Sequence, residues 1–532
     1  MAFCQNCGAK LIANARFCDT CGTPVDIASE AADSSSFANP KISSHPAIDL
    51  KKVLIPVIFG IAFIAVLIVA FTFYKPSKYD AYNKSILIYE GSDDNIIVEP
   101  YGKSNIEIEG TLIDSKLSLD GTKAIVVVSN TTKSKYDKNF EGYSLYYVSD
   151  KISLISDAVL NAQLSLSGDG VAFSKEFDSS LLVSDLCLWN KGKQVTVTDS
   201  LNLGYNYLIS PDGKNVIYTV GKTDDFSTEY YDGKSVVKLG KDMVPAGLAN
   251  KAKYIYYSKN SALYVMKNAD GNTKQKLGED VYFNFFFNKD MSEIIFVSDE
   301  KTYISVKGNA KKSLSSSILE SFILPNSSSN NNRNVIAADT FANTLWLNTN
   351  SDIVRVNSKF DTTSVAKKVE NNVYLASNGK TLIYMKNDSI YKINALKEND
   401  DAVKLVNKIT SYVAANNGNT VYYINDDAEV YSQKGTGKAV KIGDDCEIVS
   451  FGRFGVFKDK TLYYVSDGEL CSSKGKSGKI VTGINDEILG VVSTPNRFFV
   501  LIKDGKTISS LHSYDGAKWN VMDTDHLTAI YN

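Results

Sequence analysis

One short plan recurs along most of this chain. A polar turn carrying Asp, Asn or Gly leads into a strand of β-branched and aromatic residues, and a second polar turn follows. SPDGKNVIYTV (210–220), SNGKTLIYMKND (377–388), NNGNTVYYINDD (416–427) and FKDKTLYYVSDG (457–468) show it most clearly. The second turn often opens another strand, as in LYYVSDGELCSSKG, which reads as a hairpin. Looser copies place the turn residues of the series at 121, 170, 213, 251, 291, 342, 379, 418, 460 and 495. The gaps run from 35 to 51 residues and average close to 42. A period of about 40–45 residues with several strands per repeat is the mark of β-propeller blades. A sandwich has no reason to repeat at this interval, and no amphipathic helical stretch supports a βαβ arrangement.

The expected fold is therefore mainly β, with a propeller-like repeat domain over 80–532. Typical propellers have about 4–8 blades, whereas ten turns are present and KSILIYEGSDDNIIVEP (84–100) adds a further candidate repeat. One large ring, two smaller rings, or repeats that each form less than a blade all fit. The turn-plus-aromatic-strand pattern resembles the repeats of TolB-type and YWTD-like propellers, which implies an envelope or extracellular setting. WD signatures are absent. The Tyr-Tyr pairs at 146–147, 256–257, 422–423 and 463–464 are expected to alternate between packing surfaces; a carbohydrate-stacking array is the competing reading.

Ahead of the repeats lies VLIPVIFGIAFIAVLIVAFTFY (53–74), which carries no charge. About 20 such residues in a helix span a bilayer core of about 30 Å. Tyr74 and lysines 51, 52, 75 and 78 sit where interfacial anchors belong. A signal peptide would begin nearer the N-terminus and end in a small-residue cleavage site, so residues 51–76 are expected to be a single transmembrane helix. The preceding stretch, 26–50, is rich in Ser, Ala and Asp and reads as a flexible linker.

Residues 1–25 hold Cys4, Cys7, Cys18 and Cys21 in a C-x2-C-x10-C-x2-C pattern. Each CxxC turn puts two thiolates on one side of a tight loop, and two such loops complete a tetrahedron around Zn²⁺. A module of this size cannot stabilise itself by burial alone, so the metal would supply the folding energy. The alternatives are redox chemistry or two disulfides. Residues 3–25 resemble the short zinc ribbon found at the N-terminus of many bacterial membrane proteins, which implies one structural Zn²⁺ with no open coordination position.

Lysines flank the apolar segment on both sides, so charge barely decides its orientation. Thiolates persist in a reducing compartment, which favours a cytoplasmic N-terminus and an extracytoplasmic repeat domain at the cell membrane. The other cysteines, Cys187, Cys446 and Cys471, form no disulfide framework, although Cys446 and Cys471 could pair. A basic complement of almost pure lysine, with only Arg16, Arg333, Arg355, Arg453 and Arg497, points to a bacterial source. A net charge of −2 argues against nucleic acid or an anionic surface as a partner of the chain as a whole.

Catalytic signatures are missing. Histidine occurs only at 45, 512 and 526, and no nucleophile elbow, metalloprotease helix or phosphate-binding loop is present. The acidic groups GSDDN (91–95), NDDAE (425–429) and GDDCE (443–447) read as hairpin turns, with calcium or a carboxylate pair as the alternative. The expected function is thus binding or sensing at the cell envelope through a protein or glycan partner, with no catalytic residues. A passive scaffold is the alternative, and a glycan-active enzyme built on loop carboxylates ranks below both. The ligand-binding residues themselves are not legible.

Overall fold

In a computed structural model, the structure describes residues 86–522 except for 91–94, 101–103, 131–141, 179–182, 203–206, 223–224, 282–284, 324–334, 336–337, 371–372, 398–400, 447–454, 459–460, 482–486, 494–497, 504–508 and 515–518. The candidate zinc ribbon, linker and transmembrane segment lie outside the described residues. Among those described, no helix is long and apolar enough to cross a membrane.

The repeat domain is a propeller-like series of antiparallel four-stranded meanders. Seven are separate sheets, covering 244–278, 285–315, 319–366, 373–407, 409–443, 455–480 and 487–522. Here they are units 4 to 10. Units 1 to 3 (111–158, 159–202 and 208–241) are fused into one larger sheet, and a three-stranded sheet, 87–109, precedes them. Units 2 and 3 join where Leu201 pairs with Val220, and the join of units 1 and 2 has a local cause. The strand Ile152–Leu164 contains no Gly or Pro, so it closes unit 1 by pairing with Tyr143–Val148 and runs on to open unit 2 against Gly170–Asp178. Of the ten turns counted in the sequence, the eight within the described residues connect the first strand of a unit to its second, and positions 460 and 495 lie outside the described residues. Each of the ten repeats is therefore a full four-stranded unit, whereas the further candidate at 84–100 contributes to the three-stranded sheet.

Hairpin turns are tight where the sequence permits positive φ. Asn260 and Ser261, Asp299 and Glu300, and Asp467 and Gly468 each form two-residue turns with both φ positive, the geometry that matches strand twist. The second strands are buried on both faces, as in AIVVVS (Ala124–Ser129) and TLYYVS (Thr461–Ser466). Each therefore contributes alternate residues to two apolar layers.

Those layers run serially between units. Ile217 and Tyr257 belong to the layer between units 3 and 4. Tyr256 and Ile294 belong to that between units 4 and 5. Ile295 and Trp346 join units 5 and 6. The series continues through Leu382, Tyr423, Tyr464 and Val500 to unit 10. Leu166, in the first turn of unit 2, packs into the layer of units 4 and 5, and Leu119 of unit 1 lies against it. The early units therefore also touch units that are not their sequence neighbours.

Antiparallel pairing fixes two rims. Turns after the first and third strands emerge at one end of every unit, here rim I. Turns after the second strand and the crossovers to the next unit emerge at the other, rim II.

Candidate functional site

Rim I is knit together by its turns. In SLDGTK, the Ser118 hydroxyl donates to Asp120 Oδ1 at 2.7 Å and accepts from the Lys123 amide at 3.0 Å. SPDGKN repeats this, with Ser210 donating to Asp212 at 2.7 Å and accepting from the Asn215 amide at 3.0 Å. In unit 5, Asn288 substitutes for the serine, accepting from the Glu293 amide and donating to Asp290 Oδ1. Burial pulls the Asp120 carboxyl upward, but the bonds from Ser118 and Thr122 hold it below its ordinary value.

Neighbouring turns then bond to each other. The Leu119 amide donates to the Leu166 carbonyl, Ser167 to Pro211, Lys289 to Ala338 and Ser377 to Asn416, all within 2.8–2.9 Å. Where two turns meet most closely, only glycine fits. A Cβ on Gly170 would lie 2.2 Å from the Gly213 carbonyl oxygen, and one on Gly213 would lie 2.5 Å from the Gly170 nitrogen.

Rim II has its own repeated bond, in which a crossover amide donates to the preceding second-strand turn. Val281 donates to Ser261, Val369 to Ser351, Ile409 to Asp388 and Cys446 to Ala428. The acidic groups NDDAE and GDDCE lie here, and the first is hydrogen-bonded as a turn. Asn425 Oδ1 accepts from the Asp427 and Glu429 amides, while Glu429 accepts from the Tyr431 hydroxyl at 2.7 Å and the Lys441 ammonium at 2.5 Å. The bonds from Lys441, Tyr431 and Asn425 pull the Glu429 carboxyl down to about 2. Lys441 also pairs with Asp444 of GDDCE. Among the described residues, no cluster of three or more His, Cys, Asp or Glu is placed to hold a metal. Residues 91–94 of GSDDN lie outside the described residues, and His512 lies in the strand Ser509–Tyr514.

The paired tyrosines do not form a stacking array on a surface. Each pair straddles two apolar layers: Tyr146 and Tyr147, Tyr257 and Tyr256, Tyr423 and Tyr422, Tyr464 and Tyr463. The Tyr464 hydroxyl donates to the Ile442 carbonyl at 2.7 Å and that of Tyr256 to the Met291 carbonyl at 3.2 Å. Burial raises both phenols well above their ordinary range. Cys446 and Cys471 share one apolar layer and no disulfide joins them.

The two rims differ in charge. Among the described residues, the turns of rim I hold seventeen lysines and ten carboxylates, whereas those of rim II hold four lysines and fourteen carboxylates. The sequence carries the signal in the turns after third strands, such as KGNAK (307–311) and KGKS (474–477). The pattern emerges only once pairing shows which turns share an end.

The four N-terminal cysteines lie outside the described residues. As a donor set, four thiolates in two CxxC pairs suit a closed tetrahedral Zn²⁺ site. Residues 3–25 match the zinc-ribbon domain family, and a zinc ribbon implies zinc binding. No curated protein matches the chain. Among solved structures, it is similar to the tricorn protease at 11% identity, covering 82% of this chain and 58% of that one with a TM-score of 0.28. It is similar to a eukaryotic initiation factor at 9% identity, covering 68% and 96% with a TM-score of 0.39. It is also similar to TolB from Acinetobacter baumannii at 12% identity, covering 42% and 60% with a TM-score of 0.26. The chain thus spans less than two thirds of the tricorn protease and TolB chains it matches.

Proposed function

We propose that this chain is a single-pass bacterial membrane protein that recognises a partner at the cell envelope. In this reading, residues 51–76 cross the membrane and Cys4, Cys7, Cys18 and Cys21 hold one structural Zn²⁺ on the cytoplasmic side. The repeat domain, 80–532, is extracytoplasmic and works by binding, with no catalytic step. The observation that carries the reading is where the side chains go. The buried strand apolar residues and the tyrosine pairs are occupied in packing unit against unit, which leaves the exposed turns of the two rims and the strand positions beside them as the surface available to a partner.

The test is capture with the full-length chain from membranes solubilised in mild detergent after brief cross-linking in cells. Recovery of one protein or one cell-wall polymer, reduced by charge changes on a single rim, supports recognition. Recovery of a fixed set of membrane proteins that is indifferent to rim changes would instead make the chain a passive scaffold. Turnover of a glycan panel by the purified chain would overturn the binding reading.

A further inference from the structure

The lysines of rim I have apolar neighbours. Of the large hydrophobic side chains left exposed among the described residues, all but Ile113 fall within the first three positions of fourth strands, immediately after rim I turns. Leu154, Val195, Val236, Val403, Val440 and Ile480 share this placement, with Leu154 55% and Ile480 62% exposed. A strand rises about 3.3 Å per residue, so they lie within about 10 Å of the turns. Beside them in the adjoining turns stand exposed lysines, among them Lys234, Lys438, Lys474 and Lys476, and the corresponding turns of units 4 and 5 add exposed Lys274 and Lys307. Among the described residues, rim II has the opposite charge and no comparable apolar row.

We propose that rim I docks flat on the anionic headgroups of a lipid bilayer, with its lysines among the headgroups and its fourth-strand apolar residues at the acyl boundary. Three observations select a bilayer over a compact ligand. Positive charge and exposed apolar residues occur together, the combination that holds proteins at a membrane interface. The charges are lysines, which act as point charges without the bidentate geometry of arginine, and they recur in turns from unit to unit. The chain also enters the repeat domain on this rim, since the Ile86 amide donates to the Gly121 carbonyl in the first turn of unit 1. Ile86 follows closely after the uncharged segment 53–74. The acidic rim II would then face away from the membrane. The proposal deepens the membrane-anchored reading and rests on it for the nearness of a bilayer.

The test is lysine acetylation footprinting of the full-length chain in nanodiscs of phosphatidylcholine alone and of phosphatidylcholine with phosphatidylglycerol. The expected result is protection of Lys307, Lys474 and Lys476 in the anionic discs only, reversed by high salt, while Lys367, Lys368 and Lys408 on rim II react equally in both. Each rim I lysine in contact that is changed to Gln should lower the docked-to-undocked ratio about fivefold, the equivalent of about 1 kcal/mol per charge. Val236→Ser with Val440→Ser should weaken docking while preserving its salt dependence. Equal reactivity in the two discs, with the chain retained in high salt, would overturn docking and leave the anchor standing. Protection by free inorganic polyphosphate but not by anionic discs would overturn the lipid assignment. A chain that leaves the discs in high salt, yet binds phosphatidylglycerol vesicles in low salt, would uphold docking and overturn the anchor.

Discussion

Gly213→Ala isolates what the contact between rim I turns contributes. Two costs arise. Gly213 has φ of +73°, and a Cβ in that region costs about 1–2 kcal/mol, of which about 0.4–1 is returned by stiffening the unfolded chain. The new Cβ would also sit 2.5 Å from the Gly170 nitrogen and 2.6 Å from its Cα. Both are backbone atoms, so the turns must separate, at an overpacking cost of about 1–3 kcal/mol. Gly379→Ala is the matched control: it occupies the corresponding turn of unit 7, with φ of +65° and nothing within 4 Å of the new Cβ. A stack of many units need not unfold as one transition, so local opening is the better readout. Hydrogen exchange should show Gly213→Ala lowering protection in Gly170–Asp178 and Val216–Lys222 about 5- to 150-fold more than Gly379→Ala lowers it in Thr381–Met385. Equal losses in the two variants would refute the claim that close backbone approach joins units 2 and 3.

Other consequences follow from single side chains. Glu293→Ala removes the acceptor of the Phe341 amide, 2.6 Å away, and of the Thr340 hydroxyl. Urea denaturation should show a loss of about 1–3 kcal/mol, with protection falling first between units 5 and 6. Tyr464→Phe loses the bond to the Ile442 carbonyl but keeps the ring, so its cost should stay near 1 kcal/mol by the same assay. Because the Glu429 carboxyl is depressed from 4.5 to about 2, its ionised form favours the folded state above pH 4.5 and that contribution disappears as pH falls through 2. The melting temperatures of wild type and Glu429→Gln should therefore differ above pH 5 and converge toward pH 2. Replacing Cys4 and Cys7 with Ser should abolish zinc content measured by atomic absorption and leave the circular dichroism of the strands unchanged.

Much of the repeat domain was legible because each unit repeats the same local chemistry. A turn residue such as Gly213 or Gly379 announces the second strand, and that strand's apolar run announces burial on both faces. The division of the Tyr-Tyr pairs between two layers follows from the same period-two alternation. The merging of units 1 and 2 was not legible, because ISLISDAVLNAQL carries no breaker to show that one strand serves two units, and the join to unit 3 rests on a pairing of Leu201 with Val220 that no local pattern announces. Charge segregation between the rims was hidden for another reason. Lys307 and Asp299 are close in sequence, and only the antiparallel pairing sends their turns to opposite ends. The acidic group at 425–429 was legible as a hairpin turn, which Asn425 organises, whereas the pairing of Lys441 with Glu429 and Asp444 appears only once the strand Val440–Gly443 is in place.

The most direct test of the central claim is sidedness. In intact cells expressing the full-length chain, a membrane-impermeant amine reagent should modify the exposed rim II lysines Lys367, Lys368 and Lys408 while leaving Lys10, in the ribbon, unmodified until the membrane is permeabilised. Modification of Lys10 and of the repeat-domain lysines to the same extent, with or without permeabilisation, would place both on one side and contradict the proposed membrane crossing.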